Sequence, residues 1–167
     1  DYFTWPFSWL KMSQKTVEII AAAPGRIIYK ADGNFDQSCG FNGNPWNAVY
    51  LEHDDGSIAW YGHMKNGSLT AKVVGDRVAR GEYLGAVGSS GNSTGPHLHM
   101  ELYDASGALA DPYAGSCNAL ANAWWKSQRP YADSAINQVT TGWAAVSFGT
   151  CPAIESPNIR DSFPLGS

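Results

Sequence analysis

The chain has 167 residues, 44% of them hydrophobic, which is typical of one globular domain with a buried core. Lys and Arg number 11 against 15 acidic residues, a formal net charge of -4, so the composition offers no cationic surface for nucleic acid or anionic lipid. No apolar run reaches the roughly 18 residues of a membrane-spanning helix, and the start lacks a signal-peptide pattern, which a mature exported protein would already have lost.

Short apolar segments separated by Gly, Asn and Asp fill the first two thirds of the chain. They are rich in β-branched and aromatic residues and end at turn signals such as Asp55-Gly56 and Asn66-Gly67, which favours strands over helices. In chain order the predicted strands are TVEIIAA, GRIIYKA, WNAVYLEH, SIAWYGHM, EYLGAVG and HLHMELYD. We therefore predict a mainly β, antiparallel domain, with its clearest hairpin formed by WNAVYLEH and SIAWYGHM.

The composition changes after Pro112. A short helix is predicted around Asn118 to Lys126, and the chain after Thr140 reads as irregular, ending in a polar, proline-interrupted stretch. We therefore divide the chain into a core domain at residues 1–113 and a loop-rich, partly helical C-terminal extension at residues 114–167, which we expect to pack on the core.

The three cysteines lack the paired close spacing of a zinc ribbon or of a redox Cys-x-x-Cys motif. Cys117 and Cys151 both lie in the C-terminal third, where one disulfide would close a long loop and stabilise it by about 3 to 4 kcal/mol on the chain-entropy model. This pairing leaves Cys39 without a partner in the chain. Three reduced cysteines in a cytosolic protein are the alternative.

Two of the four histidines, His97 and His99, lie one residue apart behind the small-residue stretch GSSGNSTGP. Because side chains alternate across a strand, both project from one face, about 6 to 7 Å apart. This spacing suits a metal ligand beside a group that acts on whatever the metal binds, and zinc fits the imidazoles and carboxylates available. Two hydrogen-bonded surface histidines are the alternative. His63, near the end of SIAWYGHM, could bring a third imidazole to this face.

Four segments occur in the order and with the spacing of one known family: AAPGRIIYK, NAVYLEHDDGSIAWYGHMKNGSL, VGDRVARGEYLGAVGSSGNSTGPHLHMELYD and DPY. They resemble the motifs of the lysostaphin-like zinc endopeptidases, which share the LytM fold, over roughly residues 18 to 113. The resemblance implies an antiparallel, sheet-based peptidase domain with one Zn²⁺ per chain. It also implies roles for three histidines. His99 would be a zinc ligand, and His63 and His97 would be catalytic, flanking the metal-bound water and the scissile carbonyl.

The N-terminal residues resemble part of a further motif of this family. Asp1, followed by Tyr2 and Phe3, looks like the aspartate end of a His-x-x-x-Asp pair, which would make Asp1 a second zinc ligand. No histidine precedes His53, so the histidine of that pair either lies four residues upstream of Asp1 in a longer form of the protein or is missing from the ligand set. His53 itself is predicted to be structural.

Aromatic residues supply two further candidates. Tyr131 could add a hydroxyl to the oxyanion site, as a tyrosine downstream of the signature does in some relatives, with plain packing as the alternative. Several of the seven tryptophans could line a groove for flat peptide or glycan, or could pack in the core and rim: Trp5, Trp9, Trp46, Trp60, Trp124 and Trp125.

The resemblance predicts a zinc-dependent endopeptidase that hydrolyses peptide cross-links of the bacterial cell wall or glycine-rich protein segments. Such a protein would be secreted or periplasmic, without a nucleic-acid partner, and we expect a monomer. The first alternative is a catalytically impaired LytM-like domain that binds the cell wall or regulates another protein. The second is a sugar-binding β-domain in which the tryptophans carry the function.

Overall fold

A computed structural model describes residues 1–116, 122–129, 138–145 and 148–164. The described residues form one helix and ten strands: β1 Tyr2–Phe3, α1 Ser8–Gln14, β2 Glu18–Ile20, β3 Gly25–Ala31, β4 Ala48–Glu52, β5 Ile58–Gly62, β6 Arg77–Val78, β7 Tyr83–Ala86, β8 His97–Tyr103, β9 Gln138–Gly142 and β10 Ile159–Pro164. The predicted β-rich architecture is confirmed. No helix within the described ranges is long and apolar enough to cross a membrane.

An antiparallel sheet of six strands, in the order β1-β8-β5-β4-β3-β6, forms the centre of the molecule. Two smaller sheets pair β2 with β7 and β9 with β10. The predicted hairpin is the β4–β5 pair, in register from Val49 opposite Tyr61 to Glu52 opposite Ile58. Its turn closes at Gly56, where the backbone φ of 83° lies in the left-handed region that glycine adopts without strain.

The two faces of this sheet have different roles because side chains alternate along each strand. On the inner face, residues such as Ile27, Leu51 and Tyr61 are almost fully buried in one hydrophobic core. Burial of each aliphatic side chain stabilises the fold by about 1.5 to 3 kcal/mol. The even positions of β8, including Leu98 and Met100, pack against this core. The odd positions, which begin at the two histidines, therefore lie on the opposite face.

Helix α1, which was not predicted from the sequence, obtains its N-terminal cap from the far end of the chain. Its own N-cap residue, Phe7, has a left-handed backbone and makes no capping hydrogen bond through its side chain. Instead the buried carboxylate of Glu155 accepts hydrogen bonds from the backbone amides of Trp9 at 3.3 Å and Leu10 at 2.8 Å. A carboxylate in the first turn satisfies free amides and complements the helix dipole, so residues around 155 anchor the N-terminal region.

The cysteine pairing differs from the prediction. Cys39 forms a disulfide with Cys151, across a Cα separation of 5.8 Å and 112 residues of sequence. The predicted bond between Cys117 and Cys151 was wrong, and Cys117 lies outside the described residues. The physical reason is tertiary: the loop after β3 lies beside the stretch GSSGNSTGP through a bridge between Gly40 and Ser93, and Cys151 reaches this place from the C-terminal segment.

Two further expectations for the C-terminal region differ from the structure. The described part of the predicted helix, residues 122–126, forms bends, and residues 118–121 lie outside the described ranges. The region expected to be irregular contains the antiparallel pair β9–β10, with Thr140 opposite Ser162. Short strands of polar and β-branched residues carry little hydrophobic pattern, so this pair could not be predicted.

The disulfide leads to a direct prediction. A proteolytic digest of the unreduced protein should contain one linked peptide pair that carries Cys39 and Cys151. Replacing Cys39→Ser should lower the free energy of unfolding by about 4 to 5 kcal/mol, because a loop of roughly 100 residues loses its cross-link. Peptide mapping and chemical denaturation measure both effects. The control Cys117→Ser should keep the linked pair, and a pair joining Cys117 to Cys151 would contradict the assignment.

Candidate active site

Three imidazoles converge on the outer face of the central sheet. Strand β5 pairs with β8 with Gly62 opposite His99, so His63, the next residue, lies beside the two histidines of β8. The nearest ring nitrogens of His63, His97 and His99 all lie within 4.8 Å of one another. His63 has a backbone φ of 58°, a left-handed conformation that is uncommon for a non-glycine residue.

Strand β1 brings an acidic group to the same point. It pairs with β8 with Phe3 opposite His97, and the Phe3 ring stacks on that imidazole with centroids 5.5 Å apart. The Oδ1 atom of Asp1 consequently lies 2.8 Å from Nδ1 of His99 and 3.6 Å from Nε2 of His97. Thr4, just beyond the strand, donates a hydrogen bond from its hydroxyl to the carbonyl of Pro96. The four residues singled out from the sequence thus meet in one place.

The stretch GSSGNSTGP fixes two of the rings. Nδ1 of His63 lies 2.7 Å from the carbonyl oxygen of Ser90, and Nδ1 of His97 lies 2.8 Å from that of Gly95. Because a carbonyl oxygen can only accept, each Nδ1 carries the hydrogen, and in the neutral ring each Nε2 is left with its lone pair. The stretch is itself held by buried serine side chains: the hydroxyl of Ser89 contacts both the carbonyl of Ser38 and the hydroxyl of Ser93.

Burial keeps these two imidazoles neutral at pH 7. Burial is the main cause that lowers the pKa of His63 to about 4, and the hydrogen bond to Ser90 opposes it only in part. Burial likewise lowers the pKa of His97, against the smaller effect of its bond to Gly95. Both rings therefore present an unprotonated Nε2 that can accept a proton.

His99 has a different environment, with a carboxylate at each ring nitrogen. Asp1 faces Nδ1, and Oε1 of Glu101 lies 2.7 Å from Nε2. The hydroxyl of Tyr103 donates to the other oxygen of Glu101. Although partial burial acts to raise it, the hydrogen bonds from His99 and Tyr103 hold the pKa of Glu101 below its usual range. Glu101 was missed as a functional residue, yet its place two residues after His99 on one strand face was the available signal.

Trp46 forms one wall of the site and was singled out from the sequence only as one of several tryptophans. The centroid of its ring lies 5.2 Å from the ring centroid of His63 and 5.8 Å from that of His99. It fits against Gly62 so closely that a Cβ atom there would lie 2.2 Å from Cζ3 of the indole. Gly91, with a φ of 68°, approaches the Trp46 backbone from the other side.

The remaining candidates lie elsewhere. Nδ1 of His53 lies 2.7 Å from the carbonyl of Pro24, beside the β4–β5 turn and apart from the three converging histidines. Tyr131 lies outside the described residues. The site opens into a depression of about 570 Å³, and its rim includes the exposed rings of Phe3 and Phe41.

The donor set is suited to a divalent transition metal. Zinc takes imidazole nitrogens and carboxylate oxygens, usually four in a tetrahedral arrangement with one position left open in catalytic sites. The side chains of Asp1 and His99 approach each other closely through Oδ1 and Nδ1, and further imidazole nitrogens lie beside them. Together these residues could hold a metal ion next to two neutral imidazoles.

Comparison with known proteins finds a matching family and proteins of similar sequence. The model of peptidase family M23 matches residues 10–112, which confirms the resemblance carried by the sequence motifs. The chain is 40% identical over 81 residues to DD-carboxypeptidase/endopeptidase Mpg of Neisseria meningitidis, covering 48% of the chain and 16% of that protein. It is 37% identical over 79 residues to glycyl-glycine endopeptidase ALE-1 of Staphylococcus capitis, covering 47% of the chain and 20% of that protein.

The chain is also similar in sequence to a protein of known structure. The catalytic domain of a prophage-encoded M23 protein from Enterococcus faecalis is 34% identical in sequence, covers 59% of this chain and 71% of its own, and superposes with a TM-score of 0.44. The assignment to a family rests on the match of the family model to residues 10–112. The chain spans only a small part of the curated relatives' length, 16% in the case of the Neisseria protein.

The contact between Gly62 and Trp46 predicts an unusually sensitive position. Gly62→Ala should displace the Trp46 ring from the histidines and lower the free energy of unfolding by about 1 to 3 kcal/mol, because the new methyl group has no space. Gly43→Ala is the matched control, since nothing lies within 4 Å of a Cβ at that position. Urea denaturation and intrinsic tryptophan fluorescence measure the difference, and equal unfolding midpoints for the two variants would contradict the prediction.

Proposed function

Because the chain belongs to peptidase family M23, we propose that it is a zinc-dependent endopeptidase that cleaves peptide cross-links of the bacterial cell wall or glycine-rich peptides. The single observation that carries the proposal is the convergence of three imidazoles and the Asp1 carboxylate at one point. Both substrate classes are supported by the names of the relatives, one a DD-carboxypeptidase/endopeptidase and the other a glycyl-glycine endopeptidase.

We assign Asp1 and His99 as zinc ligands. Their Oδ1 and Nδ1 atoms lie 2.8 Å apart, and Glu101 accepts from the opposite nitrogen of His99. When Nε2 of His99 carries its hydrogen toward Glu101, Nδ1 keeps a lone pair for the metal. One zinc ion per chain is therefore the proposed cofactor.

His63 and His97 are the proposed catalytic residues. Zinc, when bound, supplies the Lewis acid that lowers the pKa of a water molecule and polarises the substrate carbonyl. Each of the two imidazoles is held by a carbonyl at Nδ1 and is neutral, so its Nε2 can take a proton from water. The imidazole that has taken this proton can then donate it from Nε2 to the leaving amine. The other ring can orient the water by accepting a hydrogen bond at its own Nε2.

A cell-wall substrate places the protein outside the bacterial cytoplasm. We therefore propose a secreted or periplasmic location. The disulfide between Cys39 and Cys151 supports this proposal, because such bonds persist mainly in oxidising compartments.

The proposal is tested with the full chain supplied with one equivalent of zinc. We expect cleavage of a pentaglycine peptide or of purified cell wall, with loss of cleavage when a chelator removes the metal and recovery when zinc is restored. A chain that binds cell wall but neither retains zinc nor cleaves either substrate would be the impaired binding module instead.

The two histidines of β8 should respond differently to substitution. His97→Ala should keep zinc bound and lose cleavage by about 10² to 10⁴-fold, as expected for removal of a general acid or base. His99→Ala should lose the metal itself. Metal analysis of the purified variants, with turnover measured in parallel, separates these roles. His53→Ala should retain both zinc and activity, and equal zinc content in the two β8 variants would argue against the assignment.

Glu101 should act on zinc affinity through His99. Glu101→Ala should weaken zinc binding about 10 to 100-fold, because the ring loses the acceptor that fixes its hydrogen at Nε2. Glu101→Gln keeps an oxygen acceptor and should recover most of this loss. Competition with a chromophoric chelator measures the affinity directly. Equal affinities for the alanine variant and the unmodified chain would show that Glu101 does not orient the ligand.

A further inference from the structure

A second depression, here named the aromatic pocket, adjoins the catalytic depression. It has a volume of about 340 Å³ and shares Phe3 and Thr94 with the depression that contains the three histidines. Its other walls come from the N-terminal segment and from the C-terminal segment: Trp5, Ser8, Trp9, Gly95, Pro96, Phe148, Gly149, Cys151 and Glu155. The two depressions are therefore neighbours that share part of one wall.

The rings of the aromatic pocket are unusually exposed for residues of their size. Phe3 is 68% exposed, Trp5 is 70% exposed and Phe148 is 53% exposed. Large aromatic side chains stabilise a protein most when they are buried. A cluster of exposed aromatic rings beside an active site is typical of an interaction surface. These rings have no such burial in the chain itself.

Among the residues that line the aromatic pocket there is no Lys, Arg or His. Its one charged lining residue is Glu155, whose two carboxylate oxygens are already occupied by the backbone amides of Trp9 and Leu10. A ligand segment that carries carboxylates would find no counter-ion there and would face the negative charge of Glu155. Uncharged polar groups are present in the hydroxyls of Ser8 and Thr94.

Aromatic contacts and a disulfide also fix the wall of the aromatic pocket. The ring centroids of Trp5 and Phe148 lie 5.9 Å apart, and the Phe148 ring also stacks on that of Phe7 with centroids 5.9 Å apart. The disulfide of Cys151 ties this segment to the loop after β3. A wall fixed before binding loses little conformational entropy when a ligand arrives.

We propose that the aromatic pocket binds the glycan strand of the cell wall, with a neutral amino-sugar ring against Trp5, while the attached peptide lies in the catalytic depression. This inference rests on the proposed function, because it takes the substrate to be cell-wall peptide joined to glycan. A neutral N-acetylated sugar offers an apolar C–H face for the indole and uncharged donors and acceptors for hydroxyls. A peptide stem would bring carboxylates into a pocket whose one charged lining residue, Glu155, is itself negative.

The test compares two substrates and one ligand with the zinc-loaded full chain. We expect Trp5→Ala to weaken binding of peptide-free glycan strands about two- to tenfold, the effect of losing one aromatic contact. The ratio of the cleavage rate on intact cell wall to the rate on a sugar-free cross-link peptide should fall by a similar factor. Trp5→Phe keeps an aromatic ring, and its glycan affinity and rate ratio should lie between those of Trp5→Ala and the unmodified chain. Trp143→Ala removes a tryptophan that is 76% exposed and does not line this pocket, and it should change neither quantity.

The outcomes are separable. Equal glycan binding by Trp5→Ala and the unmodified chain would overturn the glycan site, and so would an equal loss of rate on both substrates, which would make the pocket a peptide site. Failure of the unmodified chain to cleave either substrate would overturn the proposed function. In that case Trp5-dependent binding of peptide-free glycan would still support the glycan site.

Discussion

The candidate site depends on the pairing of a two-residue strand with an edge of the central sheet. Strand β1 places Phe3 opposite His97, and this register sets Asp1 against His99. A shift by one residue would turn the acidic side chain to the other face, because side chains alternate along a strand. So short a strand contributes few hydrogen bonds, and its position must be fixed by contacts outside the strand itself.

Those contacts come from the end of the chain. Glu155 caps α1, Phe148 packs against Phe7, and Cys151 is bonded to Cys39 in the loop beside GSSGNSTGP. These C-terminal residues lie outside residues 10–112, the part that matches the peptidase family. The C-terminal segment thus holds the N-terminal residues near the three histidines, and it does so with aromatic contacts, a buried carboxylate and a covalent bond.

The sequence predicted the parts of this arrangement that depend on local pattern. Alternation along β8 correctly placed His97 and His99 on one face, and the hairpin signal at Gly56 correctly placed the strand that leads to His63. The pairing of Cys39 could not be predicted, because it depends on how two distant loops lie against each other. The capping of α1 by a residue about 145 positions away has the same cause.

The chemistry of the site depends on two neighbouring histidines that have different hydrogen-bond partners and different burial. His97 is buried, with a carbonyl at Nδ1, and burial lowers its pKa. His99, two residues away on the same face, has the carboxylates of Asp1 and Glu101 at its two nitrogens. Negative charge around one ring attracts a cation, while burial keeps the other ring neutral and ready for a proton. In the proposed function, a single strand supplies both a metal-binding group and a proton acceptor.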